Sequence, residues 1–212
     1  VNNRAMKLYL SFKRGLDFIC ALALLIVTSP IMILAALAIK CESRGPVLFK
    51  QQRPGKNSRI FTLFKFRTMR PETCHDGRQL SDMERMTKVG SFLRKTSIDE
   101  LPQLFNIIRG QMSFIGPRPL LVKYLPRYTP QQMRRHDITP GISGWAQVNG
   151  RNALTWDQKF AFDVWYVDNV SFTLDLKILF LTVLNILTSK GVNSSNDATM
   201  PEFRGTCPDD SD

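Results

Sequence analysis

At 212 residues the chain is long enough for one domain with a sizeable core plus short extra segments. It carries 29 Lys and Arg against 18 Asp and Glu, a net charge of +11, which suits an anionic partner: nucleic acid, anionic lipid or a phosphorylated substrate. Cys20, Cys41, Cys74 and Cys207 have no C-x-x-C spacing and are joined by only His75 and His136, which argues against a structural zinc site; nothing requires disulfides, and a reducing compartment is the default.

Residues 18–39 contain no charged side chain, and a run of about 20 apolar residues is long enough to span a bilayer. Ser29-Pro30 lies at its centre, where proline removes a helical hydrogen bond and pushes the preceding residue away from α geometry. Lys7, Lys13 and Arg14 precede the segment and Lys40 and Arg44 follow it, so the flanks give no inside–outside asymmetry. Two topologies stand level: a spanning helix with a proline kink, and a re-entrant helix–break–helix with both ends on one side, in which the Ser29 hydroxyl is a candidate partner for backbone groups freed at Pro30.

Residues 47–49 and 60–66 read as two strands joined by a loop containing Arg53-Pro54-Gly55-Lys56-Asn57. Lys65 and Arg67 alternate with Phe64 and Phe66, which predicts a basic face, either solvated or in contact with phosphate. Residues 71–88 are polar and predict a loop or short helix. Apolar periodicity resumes over 89–95 and brings Arg94 just ahead of Asp99-Glu100.

In that next stretch Leu101, Leu104, Phe105 and Ile108 recur at helical spacing, and Asp99, Gln103 and Asn106 fall on the opposite face. Ser97 and Glu100 have the spacing of a capping box, although Pro102 would also allow a later helix start. Either way the two carboxylates lie at a positive helix end, which favours ionised carboxylate and phosphate. An ionised aspartate beside a phosphate is a candidate nucleophile for phosphorus chemistry; taken alone, the stretch is better read as a cap and a surface residue, because capping boxes are common and phosphoryl-transfer aspartates are rare.

Gly110 is a suitable helix stop. Pro117 and Pro119 bracket Arg118 and stiffen the loop that presents its guanidinium, a fork suited to bidentate phosphate contact. Residues 124–137 predict a basic helix with Arg127, Arg134 and Arg135, followed by a Gly-rich loop over 139–152 that lacks nucleotide-cradle spacing and contains Trp145. Residues 155–167 predict a helix with Asp157, Asp163 and Trp165-Tyr166. Residues 174–187 form an apolar segment interrupted by Asp175 and Lys177, too short to span a bilayer and suited to a core or interfacial position.

Together these residues resemble the bacterial sugar transferase family, the monotopic phosphoglycosyl transferases. The resemblance runs from about Lys13 to Gly191 and rests on the apolar segment with Ser29-Pro30, on Lys65-Phe66-Arg67-Thr68-Met69 and on Ser97-Ile98-Asp99-Glu100-Leu101-Pro102-Gln103. Gly116-Pro117-Arg118-Pro119, Pro140-Gly141-Ile142-Ser143-Gly144 and Asp163-Val164-Trp165-Tyr166 complete it. With no further membrane helices ahead of the apolar segment, the chain looks like the minimal members that start glycoprotein or exopolysaccharide glycan assembly.

The resemblance implies an α+β, mostly helical fold: a re-entrant membrane helix over 1–40, a catalytic body with interfacial helices and a short β-hairpin over 41–190, and a polar mobile tail over 191–212. It implies transfer of a phospho-sugar from a UDP-sugar to a polyprenyl (undecaprenyl) phosphate at the cytoplasmic face of the bacterial inner membrane. Mg²⁺ would assist, UMP would leave, and a covalent aspartyl intermediate would form. Asp99 would be the nucleophile and Glu100 its partner in metal or acid–base work, both as candidate Mg²⁺ ligands; Arg118, Lys65 and Arg94 would hold phosphate, and Asp163 and Asp175 would support the site. The implied partners are donor, acceptor and membrane lipid, with no nucleic acid and with a homodimer left open. The competing reading is a basic, membrane-anchored protein that binds anionic lipid or nucleic acid without turnover.

Overall fold

The computed structural model describes residues 4–75, 78–150, 153–188 and 202–205. Helix α1 (Arg4–Glu42) leads into strands β1 (Leu48–Pro54) and β2 (Ile60–Phe66), then β3 (Cys74–His75), β4 (Arg78–Gln79), α2 (Asp82–Arg85) and α3 (Lys88–Lys95). A 3₁₀ turn over Ile98–Gln103 precedes α4 (Leu104–Ile108), β5 (Ser113–Ile115), α5 (Pro130–Met133), β6 (Gly141–Ser143), α6 (Trp145–Val148), α7 (Trp156–Asn169) and α8 (Phe172–Leu187). The fold is therefore mostly helical with small sheets, as expected.

β1 and β2 pair antiparallel from Leu48↔Phe66 to Pro54↔Ile60, the predicted hairpin, with Asn57 and Ser58 at φ 53° and 58° in its connection. β5 and β6 pair parallel, Ser113 opposite Gly141 and Ile115 opposite Ser143, a contact between short segments that carry no strand signal of their own. The helix expected over 124–137 is divided into a 3₁₀ turn at Val122–Arg127, α5, and a second 3₁₀ turn at Arg134–His136. Pro126 and Pro130 cause the division, because each removes a backbone donor that a continuous helix needs.

α1 corrects the expected break. Helix runs unbroken through Pro30. Proline leaves the carbonyl of Ile26 without its usual donor, and the Ser29 hydroxyl supplies one at 2.8 Å. An apolar surrounding penalises unpaired backbone groups, so a side chain that restores the single lost bond lets the helix continue. The middle of α1 is exposed and apolar, including Leu22, Leu24, Ile26, Val27, Ile31, Ile33 and Leu34. Its flanks are packed: Ala21 joins Phe61, Leu63, Leu104 and Ile107, whereas Ala35 and Ile39 join Phe66 and Leu93.

Polar clamps hold both flanks. The Arg14 guanidinium donates to the carbonyls of Ile107 and Ile108 at 2.6 and 2.8 Å, satisfying the open end of α4. The Glu42 carboxylate accepts from the backbone N–H of Lys88 and Val89 at 2.7 and 2.9 Å, at the start of α3. Most of the tail expected over 191–212 lies outside the described residues. Within 202–205, Phe203 is buried against Tyr124 and Phe160, and Glu202 pairs with Lys123 and Arg127. An aromatic side chain finding an aromatic pocket anchors a stretch that looks featureless by periodicity.

Candidate active site

The two adjacent carboxylates lie on the 3₁₀ turn. Ser97, at φ 58° and ψ 14°, is left-handed; it stops α3 and redirects the chain, and its side chain makes no capping bond. The expected capping box is thus absent, because Glu100 has stronger partners than a neutral backbone N–H. Pro102 cannot donate to the carbonyl four residues back, which favours the tighter turn over an α-helix start. The local charge balance is then set by side chains more than by a helix end.

Lys65 comes from β2. Side chains alternate along a strand, so Lys65 shares a face with the buried Phe61 and Leu63, not with Phe66. That face turns toward the dyad, where the ammonium lies 2.5 Å from Glu100 Oε1 and 3.9 Å from Asp99 Oδ2. Asn106 fixes this register, a role the sequence reading missed. Fully buried, it accepts from the Phe64 N–H at 3.1 Å and donates to the Thr62 carbonyl at 2.7 Å, pinning α4 to the edge of β2 on either side of Leu63. An asparagine about two helical turns after a dyad, on its polar face, is the signal that was available.

Arg118 arrives from the Gly116–Pro119 loop, and its Nη2 lies 3.0 Å from Glu100 Oε1. β6 holds the loop in place: Gly116 N–H donates to Ser143 O at 2.8 Å, and Gly141 N–H to Pro117 O at 3.0 Å. A Cβ on Gly141 would stand 2.1 Å from the Gly116 nitrogen, so this approach requires glycine. Arg94, on α3, donates through Nε to the Thr68 hydroxyl at 3.0 Å. α3 can lie that close to Thr68 only because Gly90 has no side chain, since a Cβ there would meet the Thr68 carbonyl oxygen at 1.9 Å.

The two carboxylates differ electrostatically. Burial opposes ionisation of Glu100, but Arg118 and Lys65 outweigh it and hold the carboxyl at about 2. Burial raises Asp99 above the ordinary aspartate value, and repulsion from Glu100 adds to this, while Lys65, Arg94 and Arg118 pull the other way. Asp99 is 8% exposed, and among the described residues neither of its oxygens accepts a hydrogen bond. Glu100 is therefore a committed anion, and Asp99 is an uncommitted carboxylate facing three cations.

Of the other expected site residues, Asp163 and Asp175 are engaged elsewhere. Asp163 is 4% exposed and forms a fork with Arg135 at 2.6 and 3.1 Å. Arg135 in turn donates to the backbone carbonyl of Arg118 at 2.8 Å, so Asp163 supports the loop without reaching the dyad. Asp175 binds Tyr166 and Tyr9, each at 2.6 Å, together with Lys13, which ties α8 to α7 and the start of α1. Arg67 likewise leaves the predicted basic face: it donates to the carbonyls of Ser43 and Arg44 just past α1. Trp145 stacks on Trp165 at 5.2 Å.

No group of three His, Cys, Asp or Glu side chains is gathered among the described residues, so an all-protein metal cage is not formed there. Two adjacent carboxylates with free oxygens do fit Mg²⁺, which takes one or two carboxylates and completes its shell with phosphate oxygens and water.

A carboxylate with free oxygens near Lys65, Arg94 and Arg118, in a chain with one long apolar helix, is an arrangement suited to an enzyme acting on phosphorylated substrates. The chain matches the bacterial sugar transferase family over residues 8–189 and belongs to it. It is 52% identical to the uncharacterized sugar transferase EpsL of Bacillus subtilis, over 92% of this chain and 96% of that protein. A UDP-N-acetylgalactosamine-undecaprenyl-phosphate N-acetylgalactosaminephosphotransferase of Aeromonas hydrophila is 44% identical over 87% of this chain but only 45% of its own length. The exopolysaccharide production protein PSS of Rhizobium leguminosarum is 38% identical, over 84% of this chain and 96% of that protein. The chain thus spans nearly all of two of these relatives and less than half of the third.

Proposed function

We propose that this protein transfers a phospho-sugar from a UDP-sugar to a polyprenyl phosphate at a membrane surface, through a covalent intermediate on Asp99. The observation that carries the reading is the asymmetry of the dyad: Glu100 is neutralised by Lys65 and Arg118, while Asp99 keeps free oxygens beside the same cations. An Asp99 oxygen attacks the phosphorus that bears the sugar, the bond from that phosphorus to the bridging oxygen breaks, and UMP leaves with the electron pair. A polyprenyl phosphate oxygen then attacks the same phosphorus and returns Asp99 as a carboxylate. Lys65, Arg94 and Arg118 orient the diphosphate and offset charge that builds up on its oxygens. Mg²⁺ held by Asp99 and Glu100 would supply further charge neutralisation on phosphate oxygens.

Two features support action at a membrane surface with both ends of α1 on one side. α1 is long and apolar enough to cross a bilayer, yet one small body holds it through Arg14 and again through Glu42. Those residues are about 42 Å apart along an ideal helix, more than the roughly 30 Å of hydrocarbon, and a body on one side cannot hold both ends of a spanning segment. α8 adds an exposed apolar face with Leu176, Leu179, Phe180 and Val183, suited to lying in the interface. A re-entrant, cytoplasm-facing α1 that bends at Pro30 without a break in its helix satisfies both. The competing reading, a binding protein without turnover, leaves the free carboxylate of Asp99 without a task.

The test is intact-protein mass spectrometry with Mg²⁺, a panel of UDP-sugars and no acceptor. A mass increase of one phospho-sugar with stoichiometric UMP, lost in Asp99→Asn, is the expected result. UMP release only when polyprenyl phosphate is present, without an adduct, would replace the covalent route with direct transfer.

A further inference from the structure

Arg53 has no part in the site described above, and its surroundings are unusual for an arginine. It lies at the end of β1, next to Pro54, and is half-buried. Its Nε is buried and, among the described residues, donates to nothing. Its Nη2 donates to the neutral side-chain oxygen of Gln51 at 2.5 Å. No carboxylate among the described residues pairs with it. Burial, and after it the like charge of Arg118, pushes the guanidinium down to about 10, against a smaller opposite influence from Tyr124 and Tyr128. Pro54, Pro117, Arg118 and Pro119 line a common crevice, so the two arginine-bearing segments are adjacent.

Two arginine-bearing segments side by side, with Arg53 lacking a carboxylate partner and keeping a buried donor unfilled among the described residues, form a site short of one anion. Arg118 already spends one arm on Glu100. Arg53 pairs with Phe61 across the hairpin, so its side chain lies on the face that carries Leu63 and Lys65, and Lys65 and Arg118 both reach Glu100, next to the nucleophile. A group bound at Arg53 therefore sits one step out from the phosphorus that Asp99 meets. In a nucleoside diphosphate that step leads to the second phosphate, the one joined to the nucleoside.

We propose that Arg53 binds the nucleoside-side phosphate of the donor, which leaves as the monophosphate. The inference rests on the donor chemistry of the proposed function, but it makes a separate claim about which residue holds which phosphate. Burying an arginine without a counter-charge costs stability in the free protein, and the ligand restores the balance. A residue kept for packing would behave in the opposite way.

The experiment is titration of the full-length protein with UMP and with uridine, comparing wild type, Arg53→Met and Arg53→Lys, with thermal unfolding of each. Expected for Arg53→Met are at least a ten-fold loss of UMP affinity, an equal rise in KM for the UDP-sugar, unchanged uridine affinity and a Tm equal to or above wild type. Arg53→Lys should fall between, since it keeps a charge but loses the fork. Unchanged UMP affinity in Arg53→Met would overturn the proposal. So would an equal loss for uridine and UMP, or a lowered Tm in both variants, each of which marks a structural residue. Because UMP binding needs no turnover, the two readings separate. A wild type that binds UMP through Arg53 but transfers no phospho-sugar removes the proposed reaction and keeps this site. A normal adduct with UMP affinity indifferent to residue 53 removes this site alone.

Discussion

Burial raises both Asp99 and Asp163 against the pull of nearby cations, yet the two carboxylates differ in their hydrogen bonding. Asp163 is buried and its Oδ2 accepts from both Nε and Nη2 of Arg135, whose Nη1 and Nη2 also donate to the Tyr128 hydroxyl and the Arg118 carbonyl. Asp99 accepts no hydrogen bond among the described residues, and burial outweighs the Lys65, Arg94 and Arg118 charges that act on it. The difference separates structure from chemistry. A buried carboxylate held by an arginine fixes geometry, whereas one that accepts no hydrogen bond is where a substrate can add stabilisation.

Exchanging each aspartate for asparagine breaks the comparison most sharply. Asp99→Asn should reduce adduct formation by at least a thousand-fold, because an amide cannot form the acyl phosphate. Its Tm should stay level or rise. The sign follows from the raised folded-state value: above that pH the charged form of Asp99 is less favourable folded than unfolded, so neutralising it removes a cost. Asp163→Asn should do the reverse, lowering stability by about 3–5 kcal/mol because Arg135 is left as an uncompensated buried cation. Its catalytic loss should follow the disorder of the Arg118 loop and appear mainly as a higher KM. Equal stability losses in the two variants, measured by denaturant unfolding, would erase the distinction.

A smaller effect tests the cations that hold Asp99. Adduct formation requires ionised Asp99, so the rate should fall as pH drops through a value above that of an ordinary aspartate. Lys65 is the largest of the influences lowering that value, so Lys65→Met should move the acid limb to higher pH as well as slowing the reaction. The shift should be upward; an acid limb that stays in place in a single-turnover pH series would take Lys65 out of contact with the nucleophile.

Local patterns made much of this legible. Strand and turn signals gave the β1–β2 hairpin, although β1 runs on through Arg53 and Pro54, which were expected in its loop; periodicity gave α3, apolarity marked α8, and the prolines around Arg118 marked a presenting loop. What periodicity could not give was tertiary partnership. Ser97 and Glu100 have capping-box spacing, but Lys65 lies 35 residues from Glu100 and Arg118 lies 18 away, and those charges take the carboxylate. Arg67 looks like a twin of Lys65 two residues on, yet the end of α1 claims its guanidinium. Asp163 and Asp175 are acidic residues of the right kind, diverted by Arg135 in one case and by Tyr9, Tyr166 and Lys13 in the other. Each miss is a long-range contact that outweighs a local preference.

The smallest expected effect concerns α1, where the exposed apolar middle contrasts with clamped flanks. If Pro30 alone determined the path of the helix, Pro30→Ala would straighten it and carry one end across the bilayer. The contacts argue otherwise. Arg14 and Glu42 hold their ends through two charge-assisted hydrogen bonds each, and Ala21, Ala35 and Ile39 are buried against the body. Releasing either flank would forfeit such bonds, about 1.5–3 kcal/mol apiece, whereas alanine at 30 restores one backbone bond that Ser29 already replaces. Pro30→Ala should therefore leave both ends on the same side, with cysteines placed at Arg4 and Arg44 labelled by the same membrane-impermeant reagent. Arg14→Ala with Glu42→Ala in the Pro30→Ala background should loosen that arrangement. Opposite-side labelling in Pro30→Ala alone would return control of the topology to the proline.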